Sequence, residues 1–412
     1  MAKEKQTSTR ILILGGGFAG ITAMHHLKKT LGHSVEVTVI DPRDHSLNKP
    51  RLPEVAIKGE SIEHARFLMK SAVKSAGYAL VQAKVSKIDP DEKKVFFEKG
   101  GHMSYDYLLI TVGVEKDYSA TPGFFEYGYS VCDDFQAPRL WRALQAYNGG
   151  PIAVGSAPFK AGSRVKAPTL KSPCEGPVGE IIFMLDHLLI EKGIRDKSPI
   201  TVFTPGEVFF EDVGPSVHKD AKELLIKHNI DVVTNKTISR IAEGHVEFAD
   251  GTQLPSNLTI LIPRYKGNPL IEASGLGDEA GFIPTDQQMR HLDYPEIFAA
   301  GDATALSIPK LGHIAIMQSE IAAKMIAREL GAKIDIPEFD PSILCIMNRG
   351  GHDATMIYSN HLYGGNIDAV LDGPIAHLMK WGFDVFYHYT RGHMAPKAAE
   401  ELLQYYMSKN MG

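Results

Sequence analysis

Three cysteines and one glycine cluster are the residues of this chain whose types and spacing can do chemistry. Cys174 stands in Lys171-Ser172-Pro173-Cys174-Glu175-Gly176-Pro177, Cys345 in Ile343-Leu344-Cys345, and Cys132 in Val131-Cys132-Asp133-Asp134. Thiols either sit inertly in a core or exchange sulfur, a thiolate attacking one sulfur of a disulfide and displacing the other. Three are too few for the disulfide framework of a small secreted scaffold. Near the start, Gly15, Gly17 and Gly20 take the G-x-G-x-x-G positions of Gly15-Gly16-Gly17-Phe18-Ala19-Gly20. In order, they permit a tight turn, close approach of backbone N–H groups to a pyrophosphate, and close helix–strand contact. Asp41 lies about 20 residues beyond the loop, where a ribose-binding carboxylate belongs.

That loop has the elements it needs. Ile11-Leu12-Ile13-Leu14 reads as an apolar strand, Ile21 to Leu31 as a helix, and Val35 to Ile40 as a second strand, a complete βαβ unit. A strand, turn and strand follow (Val81 to Ile88, then Lys94 to Phe97), and Tyr105 to Gly113 reads as a buried strand closing on Thr111-Val112-Gly113. Far along, Ile297-Phe298-Ala299-Ala300-Gly301-Asp302-Ala303 repeats the theme of an apolar strand running into Gly-Asp. The carboxylate there can accept hydrogen bonds from a polyol chain, and the glycine lets the backbone come close. Ile314 to Leu330 reads as a helix whose N-terminus can face a cofactor ring.

The two halves of this cradle are separated by about 150 residues, the size of an inserted domain. Inside are strands Ile152–Gly155, Ile200–Phe203, Ile230–Val233 and Thr259–Ile262, with helices Val178–Glu191 and Val217–His228. This is a second βαβ layout. Its first strand, however, runs into Ser156-Ala157-Pro158-Phe159-Lys160 and a basic loop instead of a glycine fingerprint, and proline has no N–H to offer a phosphate. The fold is expected to be kept and a nicotinamide site lost, with Cys174 in the place of the second glycine loop. Electrons are then expected to enter through sulfur.

Composition sets the bounds. At 412 residues, 44% apolar, 23% charged and net charge −5, the chain is an ordinary globular protein of two or three domains with no basic surplus for nucleic acid. Met1 to Arg10 is polar, so no signal-peptide core is expected. No run reaches the roughly 18 apolar residues of a membrane-spanning helix. No metal is expected.

Together these segments resemble the two-dinucleotide-binding-domain flavoproteins, and among them the archaeal-like sulfide:quinone oxidoreductases. The resemblance runs nearly end to end. It rests on Gly15–Gly20, Arg51-Leu52-Pro53-Glu54-Val55-Ala56, Thr111-Val112-Gly113, Val131-Cys132, Cys174-Glu175-Gly176-Pro177, Gly301-Asp302, Pro309-Lys310-Leu311-Gly312 and Ile343-Leu344-Cys345. It implies an α/β fold of two Rossmann-like domains, the second inserted in the first: an FAD-binding domain of residues 1–145 and 275–340, a second domain of 146–274 with a degenerate nucleotide loop, and a C-terminal membrane and quinone region of 341–412.

The resemblance also implies the site. Cys174 and Cys345 would form the redox pair beside FAD, as a disulfide or with extra sulfur inserted, attacked by hydrosulfide. Cys132 would lie on the flavin side, assisting sulfur transfer or anchoring FAD; alternatively it only packs. Relatives place a histidine near Gln136, and glutamine cannot move a proton. Glu180 would handle protons near flavin and quinone, or merely stabilise a helix N-terminus. FAD contacts are expected from Gly15, Gly17, Phe18, Ala19, Gly20, Asp41, Val85, Thr111, Gly113, Gly301, Asp302, Lys310 and Gly312, with Lys310 either steadying reduced flavin or simply solvated.

The end of the chain changes character. After Gly373-Pro374, the residues Leu378, Trp381, Val385 and Tyr389 recur at helical spacing, and Ala398 to Met407 adds a second aromatic segment. Such a face suits a bilayer surface, or alternatively the protein core or a second copy. Lys380, Phe383 and Phe386 are candidates for quinone access. The expected partners are hydrosulfide, membrane quinone and the lipid surface of the cell membrane, with a homo-oligomer left open. Three other readings stand beside this one: a type II NADH:quinone oxidoreductase, a sulfide dehydrogenase flavoprotein subunit, and a non-catalytic redox-sensing flavoprotein.

Overall fold

The computed structural model describes residues 8–394, so the segment from Ala398 to Met407 lies outside the described residues. Apolar runs of four or five residues, each followed by a helix or loop, build a first parallel sheet. It uses β1 (Arg10–Leu14), β2 (Glu36–Asp41), β3 (Ala79–Gln82) and β4 (Tyr107–Ile110). β1 lies between β2 and β4, all parallel, as crossover connections require. The crossover from β1 to β2 is helix α1 (Phe18–Leu31). The expected single strand Val81–Ile88 is in fact two: β3 ends at Gln82, and Val85–Asp89 joins a separate antiparallel sheet with Lys94–Phe97 and His102–Ser104.

A second parallel sheet follows, from β5 (Gly128–Tyr129), β6 (Ile152–Ser156), β7 (Ile200–Phe203), β8 (Ile230–Val233) and β9 (Leu258–Ile262), in the order β5-β9-β6-β7-β8. Every residue of β6 and β9 is buried, which is the composition of strands covered on both faces. Helix α2 (Gly176–Glu191) crosses from β6 to β7, and α3 (Pro215–Lys227) from β7 to β8. Then β10 (Ile297–Ala299) returns to the first sheet beside β4, and α4 (Gly312–Glu329) lies next to α1.

The C-terminal region is more than the helix expected. Residues from Ile343 form a three-stranded antiparallel sheet, β11 (Ile343–Gly350), β12 (Asp353–Ser359) and β13 (Asp368–Asp372), before α5 (Pro374–Tyr389). Asp368 at the start of β13 accepts backbone N–H bonds from Gly214, Ser216 and Val217, capping α3. On its inner side α5 stacks Tyr387 on Phe18 at 4.4 Å between ring centroids. On its outer side Ile375, Leu378, Trp381 and Tyr389 are exposed, with Val385 half-buried between them. No helix among the described residues is long and apolar enough to cross a membrane.

Candidate functional site

The first site is the mouth of β1. Gly15 needs its φ of +99°, and a Cβ there would lie 2.5 Å from the Thr111 carbonyl oxygen. Gly20 is tighter still, a Cβ meeting the Gly15 carbonyl oxygen at 1.9 Å. Thr111 ties the two strand ends together, its hydroxyl donating to the carbonyls of Leu14 and Gly15 at 2.8 Å each. By contrast an added Cβ at Gly17, Gly113 or Gly312 would meet nothing within 4 Å, so these three face open space, Gly17 at the N-terminus of α1 and Gly312 at that of α4. Gly301, at φ +76°, sits where the helices converge, between the methyls of Ala19 and Ala315. Beside it the buried Gln318 accepts the Gly301 N–H through Oε1 while its Nε2 has no partner. A backbone-lined groove at two helix N-termini, with a buried unpaired donor, fits a dinucleotide.

Other residues expected at the cradle are placed as follows. Asp41 is buried, and its carboxylate accepts from the Gly16 N–H at 2.8 Å and from Arg43 at 2.9 Å. It braces the loop as well as facing it. Phe18 contributes its backbone there, since its ring is stacked on Tyr387. Val85 is half-buried at the start of the separate antiparallel sheet. Asp302 pairs with Lys49 at 3.4 Å. Lys310 is not solvated: its Nζ is buried, donates to the Thr304 carbonyl at 2.8 Å and lies 3.9 Å from the Phe282 ring centroid. Burial pushes its ammonium down to about 7, against the pull of Asp302 and Asp278.

The second site is the mouth of β6. Cys174 and Cys345, 171 positions apart in the sequence, converge on Gly176 at the start of α2: a Cβ there would lie 3.1 Å from the Cys345 sulfur and 3.9 Å from that of Cys174. Both are free thiols on the wall of one small cavity. Burial raises the Cys174 thiol well above its ordinary value and pushes Cys345 up to about 12, so each needs a proton acceptor to become nucleophilic. A buried carboxyl, Asp212, lines the same cavity, and burial lifts it to about 6.

Glu175, not singled out from the sequence, occupies the position between β6 and α2. Its carboxyl accepts from the Ser156 hydroxyl at 3.1 Å and the Phe210 N–H at 2.8 Å. In a parallel sheet that is the place of a nucleotide pyrophosphate. Burial raises this carboxyl to about 7, opposed by its bonds to Thr204 and the Phe210 N–H. Its partners lie far off in sequence, so no local pattern marks it.

Glu180 is no helix-end residue: one turn inside α2 it is buried, bonded to Lys380 Nζ of α5 and accepting the Asn348 N–H at 3.2 Å. Asn348 also donates to Glu54, and Asn48 to Asp384 at 3.0 Å. Three buried carboxyls thus face one ammonium. Burial raises Glu180 to about 7, with Lys380 opposing and Glu54 adding to the rise. Burial disfavours the Lys380 ammonium, but Glu180, Glu54 and Asp384 outweigh it and hold it protonated. Lys380 therefore belongs to this buried network, while Phe383 is half-buried beside Phe18 and Phe386 is exposed.

Cys132 is buried, accepting from the Tyr265 hydroxyl at 3.6 Å. Nearby Lys116 is pushed down to about 8 by burial and by Lys49. Gln136 is buried and bonded to Arg139, a structural contact. Among the described residues no cluster of His, Cys, Asp and Glu is arranged to hold a metal.

Residues 9–319 match the family profile described as pyridine nucleotide-disulphide oxidoreductase. The chain is 23% identical to a sulfide-quinone reductase of Aquifex aeolicus, over 96% of this chain and 95% of that one. The crystal structure of the sulfide:quinone oxidoreductase from that bacterium superposes with a TM-score of 0.85 over the same shares. A type II NADH:quinone oxidoreductase of Staphylococcus aureus is 24% identical, over 88% of this chain and 92% of its own.

Proposed function

This chain belongs to the pyridine nucleotide-disulphide oxidoreductase family, and from that premise we propose that it is an FAD-dependent sulfide:quinone oxidoreductase. The observation that carries the reading is the convergence of Cys174 and Cys345 on Gly176, at a sheet mouth whose phosphate place is taken by Glu175. Sulfur chemistry stands where a nicotinamide would be fixed.

Gly15, Gly17, Gly20, Gly113, Gly301 and Gly312 would hold FAD through backbone groups, and Ala19 and Ala315 keep α1 and α4 close. Bound FAD would supply the two-electron acceptor that this sulfur chemistry needs. Hydrosulfide attacks a bridge between Cys174 and Cys345, its sulfur bonding to one cysteine as the other leaves as thiolate. Re-closing the bridge around the new sulfur releases the proton that hydrosulfide brought and two electrons, for which FAD would be the acceptor. Asp212, poised near 6, is placed to take that proton. Quinone then collects two electrons and two protons. Glu180 and Lys380, at the contact of α2 with α5, are the groups that hold protons on that side.

The exposed aromatic and aliphatic face of α5 suits the surface of a bilayer, where the quinone dissolves. We read the protein as peripherally membrane-associated. The division into an FAD-binding domain, an inserted second domain and a C-terminal membrane region belongs to the same reading.

The test is anaerobic mixing of the purified holoprotein with sulfide or, separately, with NADH while the flavin absorbance is followed. Sulfide is expected to bleach it. Bleaching by NADH and not by sulfide would sink the proposal in favour of an NADH:quinone oxidoreductase.

A further inference from the structure

Phe210 closes one side of the cavity that holds the two sulfurs. Its φ of 63° lies in the left-handed region that bulky side chains avoid, so its surroundings must hold it there. They grip both ends of its backbone: Glu175 accepts the N–H at 2.8 Å, and His218 Nε2 contacts the carbonyl at 2.8 Å. The ring is seated on Gly179 of α2, where a Cβ would lie 2.5 Å from Phe210 Cζ and 2.9 Å from the Met347 sulfur. Phe209 stacks on it at 4.0 Å between centroids.

Behind Phe210 lies a second pocket, open to solvent on one side and bounded by α2, α3 and the C-terminal sheet. Phe210, Met347 and Ile357 are walls of both cavities. Its other walls are mostly apolar, Phe183, Leu224 and Val370 among them, and its two carboxylates, Asp220 and Asp372, are exposed and mark the solvent side. Such a space suits an uncharged, polarisable occupant with no hydrogen bonds to satisfy. The exposed carboxylates disfavour anions such as free hydrosulfide.

We propose that this cavity is a binding site for the neutral sulfane-sulfur chain that grows between Cys174 and Cys345, with Phe210 the gate that the chain displaces. The proposal rests on the reading of these cysteines as the sulfur-accepting pair. A chain bonded to a cysteine at each end carries no charge. Each added hydrosulfide gives its two electrons to FAD, loses its proton and leaves one neutral sulfur atom in the bridge. The small cavity limits how many such atoms fit, and its apolar wall of Phe210, Met347 and Ile357 is shared with the second pocket.

The experiment uses the full-length holoprotein, turned over anaerobically with sulfide and a soluble quinone, quenched in acid with an alkylating agent and weighed intact. Added sulfur appears as mass on the protein. Leu224→Trp, which fills the second cavity from half-exposed α3, is expected to cut the mean number of inserted sulfurs roughly twofold while the first bleaching of the flavin by sulfide is unchanged. Phe210→Ala is expected to lengthen the distribution. Bleaching as in the unaltered protein with the same chain lengths in both variants would overturn this proposal alone. If the unaltered protein is not bleached by sulfide and carries no added sulfur, the enzyme reading falls and this one with it. Should Phe210→Ala fail to fold, Leu224→Trp decides.

Discussion

The crossovers β1–α1 and β6–α2 are the same device put to opposite uses. Each carries the chain from the end of a parallel strand into a helix N-terminus, where backbone N–H groups collect positive potential. At β1–α1 the three intervening residues are all glycine, and Gly17 leaves the helix end open. At β6–α2 the residue before the helix is Glu175, whose carboxyl is bonded to Ser156 and Phe210, and Cys174 directly precedes it. The comparison teaches that a phosphate site can be retired without rebuilding the fold. A side chain of the chain itself, bonded to Ser156 and Phe210, stands where a pyrophosphate would lie, and the loop is released to carry a thiol.

The heaviest blow to the comparison falls on the second crossover. Cys174→Ala leaves the fold and the flavin content intact, and sulfide-dependent quinone reduction is expected to drop on the order of a thousandfold. Activity at the unaltered rate would mean that β6–α2 carries no chemistry. The first crossover is broken through packing instead of chemistry. Gly20→Val drives a side chain into the Gly15 carbonyl, 1.9 Å from its Cβ, and the purified protein is expected to lose most of its flavin, measured as the flavin-to-protein absorbance ratio. Full flavin occupancy in that variant would contradict the cradle.

The smallest effect is the one that sharpens the contrast. Glu175 is raised from the ordinary carboxyl range to about 7, so folding favours its protonated form. Its contribution is full below about 4.5 and is lost as pH rises through 7. Glu175→Gln is therefore expected to flatten the fall of stability between those limits, leaving the variant relatively more stable at pH 8 by up to roughly 3 kcal/mol. Denaturant melts at pH 5 and 8 measure it. Glu180, Asp212 and Asp384 are raised in the same direction, so part of the slope remains. An unchanged slope would show that Glu175 is not buried at the helix end.

The first crossover was legible because its demands are local: glycine spacing, a flanking strand and a helix are all read within thirty residues. The cysteine pair was legible only through resemblance, since nothing in a 171-residue separation says that two thiols meet. Glu175, Asp212 and Phe210 went unseen because their roles are set by partners on other elements. The burial of Lys380 against Glu180 went unseen for the same reason, the two being 200 residues apart. The sheet β11–β13 was missed where polar residues and the irregular pairing between Asn348 and Gly350 interrupt strand alternation. Lys310 looked like a surface residue because long charged side chains usually are; its aromatic roof of Phe282 and Phe159 comes from distant segments.

Asp368 bears on the order in which the protein is made. It holds the N-terminus of α3 through three backbone N–H groups, and it leaves the ribosome about 150 residues after that helix. Cys345 belongs to the same late-emerging sheet. During synthesis, therefore, Cys174 waits in a chain that has its cradle but not its second thiol, its gate's far wall or its helix clamp. Sulfur handling is switched on only when the last fifth of the polypeptide docks, so a stalled or truncated product has the cradle for a flavin but nowhere to put sulfur.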